Sequence, residues 1–194
     1  MYNILKIEDA VQGYICITVS ADGENRRYTV RTSVYEEIGM PHKGVSIDED
    51  AFYAITLGDE YYRAKRAALS ILSYGDNNEK TLHTKLRTRG ISDEVATDVV
   101  HEMVSLGYID EHRQLERLIT EEANRKLHGP RKIVPRLLSM GYRLADIKAT
   151  LFSLCDSGEI DLAENEERLL NKYLGDSRDT EAVKKLLYKY GYDS

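Results

Sequence analysis

The residues Gly107-Tyr108-Ile109-Asp110 (GYID) return almost unchanged 51 residues later as Gly158-Glu159-Ile160-Asp161 (GEID). The same shift places Gly90 on Gly141, so the breaks between helical stretches coincide. It also places apolar residues on apolar residues, in the pairs Leu82/Ile133, Leu86/Leu137, Ala96/Ile147, Val100/Leu151 and Met103/Leu154. These coincidences predict a three-helix unit of about 50 residues that repeats in tandem.

A third copy of the unit is expected to begin at Asp161. It offers two helical stretches, at residues 162–174 and 181–191, with a break at Gly175 and no third helix. The repeat alignment predicts a core built within each repeat. The residues expected to be buried in it are Leu86, Val100, Met103, Leu137, Leu151 and Leu154.

The first part of the chain follows a different pattern. Residues 14–32 (YICITVSADGENRRYTVRT) alternate apolar and polar side chains around Asp22-Gly23, which predicts a β-hairpin. Capping boxes at Ser33 and Ser46 predict two helices, the second running toward Tyr61 with a candidate break at Gly58. A small β-containing module therefore precedes the helical repeats.

The predicted fold class is mainly α. Two complete three-helix repeats and a truncated third are expected to stack into an elongated, curved array after the small N-terminal module. The expected divisions are a hairpin module at 1–47, a connecting helix at 48–62, repeat 1 at 63–112, repeat 2 at 113–160 and truncated repeat 3 at 161–194.

Composition narrows the class of protein. Cys16 and Cys155 are the two cysteines, far apart in sequence, which argues against a disulfide scaffold or a thiolate metal site and suits a reducing compartment. The apolar run at residues 14–19 is too short to cross a membrane, so we expect no membrane anchor and a cytoplasmic protein.

Charge is unevenly distributed along the chain. The net charge of -6 arises in residues 1–60, whereas residues 113–158 are locally basic. Six cations and no carboxylate lie between Ala123 and Ala145: Arg125, Lys126, Arg131, Lys132, Arg136 and Arg143. The 51-residue shift aligns Lys80 and Lys85 with two of them, beside Arg87 and Arg89. Such a stretch is either a solvated face or a surface for phosphates or an acidic protein groove.

Enzyme signatures are weak. The five histidines form neither H-x-x-x-H nor H-E-x-x-H. His101-Glu102 and Asp110-Glu111-His112 could serve as acid–base pairs, but polar helix ends explain both equally well. No glycine-rich phosphate-binding motif occurs, so we expect no enzyme, no metal and no cofactor. Tyrosines could stack on nucleic-acid bases, but packing between repeats is the favoured use of Tyr61, Tyr62, Tyr74, Tyr108 and Tyr142.

Three phrases carry a resemblance to a known family. They are KLRTRG at Lys85 to Gly90, GYIDE at Gly107 to Glu111, and GPRKI at Gly129 to Ile133. In this order and spacing they resemble the RecX regulators of bacterial recombination, which are built from three tandem three-helix repeats. The N-terminal module resembles an extension found on some Gram-positive members.

The resemblance implies a non-enzymatic role in DNA repair, homologous recombination and the SOS response. Such proteins bind the RecA–single-stranded-DNA filament and inhibit its ATPase, extension and strand exchange. It implies RecA as the partner, weak direct binding to DNA, and a monomer that does not bind membranes. The basic residues above are the expected contact set. The alternative is a stand-alone nucleic-acid-binding helical repeat protein, which should bind bare DNA with a steep dependence on salt.

Overall fold

Nine α-helices and one four-stranded sheet form the part of the chain that the computed structural model describes, residues 1–175 and 179–193. The chain divides into two compact units. The first contains residues Met1–Asn77 and Leu82–Tyr108, and the second contains Asn78–Thr81 and Ile109–Ser194. The mainly helical class with a small β-containing N-terminus is therefore confirmed.

The sheet of the first unit is antiparallel, with strand order β3-β2-β1-β4. Its strands are β1 (Tyr2–Asp9), β2 (Tyr14–Ala21), β3 (Glu24–Arg31) and β4 (Ser46–Ile47). The predicted hairpin is confirmed. Asp22 and Gly23, with φ of 51° and 83°, form the tight turn between β2 and β3. The sequence pattern did not predict β1, because a bulge between Ile4 and Lys6 interrupts the alternation of apolar and polar residues in this strand.

Both capping-box predictions were wrong in position. Helix α1 (Thr32–Glu37) begins after Arg31, and helix α2 (Glu49–Ser73) begins after Asp48, whose carboxylate accepts from the Ala51 N–H at 2.8 Å. Ser46 instead lies in β4, where its hydroxyl bonds the Asn3 side chain. An aspartate two residues further on thus takes the cap that the serine was expected to supply.

Helix α2 does not break at Gly58. The helix runs through this residue, and a Cβ added there would lie 3.0 Å from a Val30 side-chain methyl. Glycine therefore permits close packing of α2 on β3, where Val30 and Ile55 share a core with Ile4, Ile17 and Val19. The hairpin module and α2 are consequently joined by a common core.

Seven further α-helices and one π turn follow α2 in the described residues. In the first unit, α3 (Glu79–Thr88, whose first residues belong to the second unit) and α4 (Asp93–Ser105) follow α2. In the second unit, α5 continues into a π-helical turn. The elements there are α5 (Glu111–Thr120), the π turn (Glu121–Arg125), α6 (Pro130–Ser139), α7 (Leu144–Asp156), α8 (Leu162–Tyr173) and α9 (Thr180–Tyr190).

The GYID and GEID stretches are helix junctions of the same construction. Gly107 and Gly158 adopt φ of 73° and 79°, a left-handed backbone that ends the preceding helix without a Cβ clash. The isoleucine that follows is buried in both copies. The aspartate then caps the next helix: Asp110 accepts from the Arg113 N–H at 3.0 Å, and Asp161 accepts from the Glu164 N–H at 2.9 Å.

The burial prediction is confirmed for five of its six residues. Leu86, Val100, Met103, Leu137 and Leu154 are buried. Leu151 is only half-buried, at the edge of the cluster that Ile133, Leu137 and Ile147 form in the second unit. The 51-residue alignment therefore identifies equivalent core positions, although the copies do not bury each of them equally.

Candidate partner-binding surface

The basic residues of the second repeat lie on the π turn, on α6 and before α7. Arg125 ends the π turn, Lys126 caps it, and Arg131 and Lys132 occupy the first turn of α6 behind Pro130. Arg136 lies one turn further along α6, and Arg143 precedes α7. Their side chains have different surroundings, and these divide the set into two groups.

Two of the cations hold a buried carboxylate that the sequence did not indicate. Glu122, on the π turn, is 3% exposed. Its Oε1 accepts from Lys126 Nζ at 2.6 Å, and it also forms an ion pair with Arg136, whose Nε lies 2.9 Å away. Its Oε2 lies 2.7 Å from His128 Nδ1. The stretch that lacks carboxylates between residues 123 and 145 is thus compensated from one residue upstream.

The π turn places Glu122 among these cations. The Lys126 N–H donates to the Glu121 carbonyl five residues earlier, at 3.2 Å, which widens the turn relative to an α-helix. Burial tends to raise the pKa of Glu122, but hydrogen bonds from Lys126 and His128 and the charges of Arg136 and Lys126 outweigh it and lower the pKa below its usual value. Glu122 is therefore ionised near neutral pH, and Lys126 and Arg136 stabilise the fold by neutralising its buried charge.

The remaining cations of the stretch make polar contacts near the surface. Arg125 contacts Glu121 at 3.0 Å, Arg143 contacts Asp146 at 2.7 Å, and Arg131 contacts Asp193 at 3.3 Å. Lys132 Nζ lies 3.5 Å from the Lys189 carbonyl oxygen. Water and salt screen such contacts, so they can be exchanged for contacts with a partner at little cost.

The start of α6 is covered by the end of α9. The Gly129 N–H donates to the Tyr190 carbonyl at 2.8 Å, and the Arg131 N–H donates to the Gly191 carbonyl at 3.1 Å. A side chain on Gly129 would collide with the Gly191 carbonyl. The Lys132 N–H donates to the Gly129 carbonyl at 3.0 Å. Because these N–H groups are already bonded within the chain, Arg131 and Lys132 present their side chains, and not their N–H groups, to a partner.

A similar contact occurs where α6 ends. The Asn78 side-chain amide donates to the Met140 carbonyl at 2.8 Å, and its oxygen caps α3 by accepting from the Thr81 N–H at 2.8 Å. Asn78 and Gly129 are 51 residues apart, and Met140 and Tyr190 are 50 apart. The repeat thus reuses one contact, through a side chain in the first copy and through backbone in the second.

The cations of α3 support local structure. Lys85 Nζ donates to Asn77 Oδ1 at 2.5 Å, and Arg87 donates to the Ile91 carbonyl at 2.5 Å and contacts Asp93 at 3.4 Å. Arg89 lies 3.4 Å from the Ala67 carbonyl. Lys80 is exposed on the first turn of α3. Lys85 and Arg87 therefore have local bonds to lose if they contact a partner.

Glu102, considered above as half of an acid–base pair, belongs to a second charge network in the first unit. It accepts from Tyr61 Oη at 2.6 Å, from Lys65 Nζ at 3.0 Å and from Arg31 at 3.2 Å. Burial tends to raise the pKa of Glu102, but the bonds and charges of these partners outweigh it, so the pKa is lowered. Burial and the hydrogen bond to Glu102 raise the pKa of Tyr61 to about 12. Arg31 thereby links β3 to α4, a tie that the sequence pattern did not show.

Comparisons with known proteins identify the family to which the chain belongs. No family model matches the chain. A protein named Regulatory protein RecX from Stenotrophomonas maltophilia is 30% identical over 131 residues, which are 65% of this chain and 77% of the relative. The chain belongs to the RecX family. A RecX of the same name from Geobacillus sp. is 27% identical over 120 residues, covering 62% of this chain and 44% of the relative.

Solved RecX structures share the fold. A crystal structure of regulatory protein RecX aligns with all of this chain and 96% of its own, with a TM-score of 0.73 and 23% identity. RecX from Lactobacillus salivarius aligns over 70% of this chain with a TM-score of 0.59. The chain spans about half the length of several curated RecX relatives, 44% of two of them. The structural likeness supports the fold, and the sequence likeness supports the family.

The structure also tests the tyrosines considered for base stacking in this RecX chain. Tyr142 is buried and donates from its hydroxyl to Gln114 at 2.8 Å, and Tyr61 bonds Glu102. Tyr62 is half-buried beside Tyr14, whereas Tyr74 and Tyr108 are exposed. An aromatic group that sequence analysis did not single out lies on α8 and α9: Tyr173, Tyr188 and Tyr190.

Within residues 1–175 and 179–193, no group of three or more His, Cys, Asp or Glu side chains is arranged to hold a metal ion. None of the helices described for these residues combines the length and the apolar character needed to cross a bilayer.

Proposed function

We propose that this chain regulates RecA by binding the RecA–single-stranded-DNA filament. The observation that carries the proposal is its 30% identity to a protein named Regulatory protein RecX over most of that protein's length. The proposed mode of action is restraint of the filament's ATPase, extension and strand exchange. Binding, rather than a reaction catalysed by the chain, would produce this restraint.

The proposed contact set follows from the two groups of cations. Arg125, Arg131, Lys132 and Arg143 are exposed and make screened pairs, so each can turn toward DNA phosphates or filament carboxylates without loss of a buried bond. Lys126 and Arg136 hold Glu122 and are removed from the set. Lys80 on α3 and Arg89 in the turn just after it remain secondary candidates.

Charge on this surface should mainly set the rate and salt dependence of association. Exposed cations attract a negatively charged filament over roughly a Debye length, about 10 Å at 0.1 M salt. Inhibition should therefore weaken as salt rises. A partner that supplies further contacts, as RecA would, should keep the interaction measurable at physiological salt.

The test is a RecA ATPase assay on single-stranded DNA with a substoichiometric amount of this chain. The double variant Arg131→Glu/Lys132→Glu should lose most inhibition. Its matched control is Arg26→Glu/Lys43→Glu, which reverses two exposed cations of the first unit and should inhibit like the unchanged protein. Both variants should keep the parent melting temperature within a few degrees, since no buried partner is lost.

Three results separate the possibilities. Equal loss of inhibition in both double variants would indicate a diffuse effect of net charge. Full inhibition by the Arg131/Lys132 variant would remove these residues from the contact set and direct attention to Lys80 and Arg89. Absence of inhibition by the unchanged protein, together with tight binding to bare DNA, would favour the alternative of a stand-alone nucleic-acid-binding protein.

A further inference from the structure

An exposed group of aromatic rings and cations lies where the ends of α8 and α9 meet the start of α6. We call it the tyrosine–cation cluster: Tyr173, Tyr188 and Tyr190 with Arg131, Lys132 and Lys172. Tyr188 is 71% exposed and Tyr173 is 51% exposed, whereas Tyr190 is half-buried. Large aromatic surface is usually buried, so this exposure raises the question of what covers it.

Each ring has its own cation. Arg131 Cζ lies 5.9 Å from the centroid of Tyr188, Lys132 Nζ lies 5.1 Å from that of Tyr190, and Lys172 Nζ lies 5.3 Å from that of Tyr173. These distances suit cation–π attraction. The cluster therefore holds positive charge beside aromatic surface at three places.

The cluster is held together by contacts between elements. Tyr190 Oη donates to Tyr173 Oη at 2.8 Å, and their ring centroids are 5.5 Å apart, which joins α9 to α8. The bonds from Gly129 and Arg131 to the end of α9 place Arg131 and Lys132 beside the tyrosines. The rings and cations are thus arranged before any partner arrives, which reduces the entropy lost on binding.

We propose that the tyrosine–cation cluster binds single-stranded nucleic acid, with unpaired bases stacked on its tyrosine rings and phosphates beside its cations. Every base has a π-face, so stacking of this kind needs no particular sequence. An acidic protein segment could use the cations, but it would leave the exposed rings uncovered. A nucleotide supplies the planar ring and the negative charge together, and the observations therefore favour it.

This inference goes beyond the proposed function, because it requires no RecA. Arg131 and Lys132 belong to both surfaces. The test of the inference therefore changes a tyrosine, which leaves those two charges in place. The two can fail independently. The chain could inhibit RecA without stacking on bases, and it could bind a single strand without inhibiting RecA.

The test measures fluorescence anisotropy of labelled oligomers with the full chain at low salt and without RecA. The probes are an oligothymidylate of about 16 nucleotides, an abasic oligomer of equal length, and polyglutamate. We expect the oligothymidylate to bind more tightly than either of the other probes. Tyr188→Ala should weaken its binding about fivefold or more, the effect of losing one stacked base.

Two variants control for structure and for loss of any tyrosine. Tyr188→Phe keeps the ring and should bind like the unchanged protein. Tyr74→Ala removes a tyrosine that is 91% exposed at the end of α2, and it should change the affinity less than about twofold. Since Tyr188 is exposed, its replacement should leave the far-ultraviolet circular dichroism spectrum unchanged.

Equal binding of the thymidylate and abasic oligomers would overturn the proposal, because it would show attraction to phosphate alone. Tighter binding of polyglutamate would overturn it in favour of an acidic protein partner. Absence of oligothymidylate binding at low salt would also overturn it, as would equal losses in Tyr188→Ala and Tyr74→Ala.

Discussion

Replacing Arg136 with glutamate should destabilise the second unit strongly, although the side chain lies at the surface of α6. Arg136 Nε is 2.9 Å from Oε1 of Glu122, a carboxylate that is 3% exposed. Breaking a buried ion pair by removing one partner costs about 3–5 kcal/mol. The Arg136 side chain is itself 55% exposed, so screening by water reduces this cost. Lys126 and His128 still face Glu122 in the variant, which favours the lower end, whereas the new carboxylate repels it. We therefore expect a loss of about 3 kcal/mol.

The assay is unfolding followed by far-ultraviolet circular dichroism, with heat and with urea, near neutral pH. A loss of about 3 kcal/mol corresponds to a fall in melting temperature of roughly 6–12 °C for a chain of this size. The matched control is Arg131→Glu on the same helix, because its partner Asp193 is 91% exposed. That variant should change stability by less than about 0.5 kcal/mol.

Equal and small losses in the two variants would refute the reasoning, since they would show that Arg136 does not compensate a buried charge. Equal and large losses would show that charge reversal anywhere on the first turns of α6 is harmful. Arg136→Gln separates lost pairing from added repulsion. It should destabilise less than Arg136→Glu, because it removes the positive charge without adding a negative one.

Three further predictions concern single residues. Glu122→Gln should lower stability at neutral pH, and its deficit should shrink as pH falls below about 4. The lowered pKa of Glu122 contributes stability above the unfolded value, and that stability is lost as pH falls through the folded pKa. Urea unfolding of both proteins between about pH 7 and pH 3 measures this, and a deficit independent of pH would contradict it. Gly129→Ala should cost about 1–3 kcal/mol, because its side chain would collide with the Gly191 carbonyl; an unchanged urea midpoint would contradict this close approach. Asp161→Ala should cost about 1 kcal/mol in thermal unfolding through loss of the α8 cap, and Asp161→Asn should recover most of it.

The repeat architecture could be read from sequence because its signals are local. A left-handed glycine, a buried isoleucine and a capping aspartate occupy consecutive or nearly consecutive positions, and each acts on the helix next to it. GYID and GEID therefore report two junctions directly. Helical periodicity likewise identifies the buried face of each helix without knowledge of its neighbour, which explains the five core residues correctly predicted.

Local signals were less reliable in the N-terminal module. A bulge breaks the alternation in β1, so the pattern that revealed the hairpin could not reveal its partner strand. Gly58 has two possible meanings in a helical pattern, a break or a close approach. Only its position against Val30 shows that it serves packing. Serines and aspartates compete for the same cap, and the structure assigns it to Asp48.

Composition alone could identify the basic stretch, but it could not show which of its cations stabilise the fold and which are available to bind a partner. Periodicity does not specify which charges meet across elements, and that pairing depends on where a turn points its side chains. The π turn buries Glu122 against Arg136, which is 14 residues away, and so converts two surface cations into structural ones. The same limit hid the tyrosine–cation cluster, whose members come from α6, α8 and α9.

Sequence by itself determined the class of fold and the repeat, because each helix carries its own pattern of buried residues and its own terminating residues. Tertiary structure decided which cations remain available to a partner, because a charge is available only when no buried opposite charge already holds it.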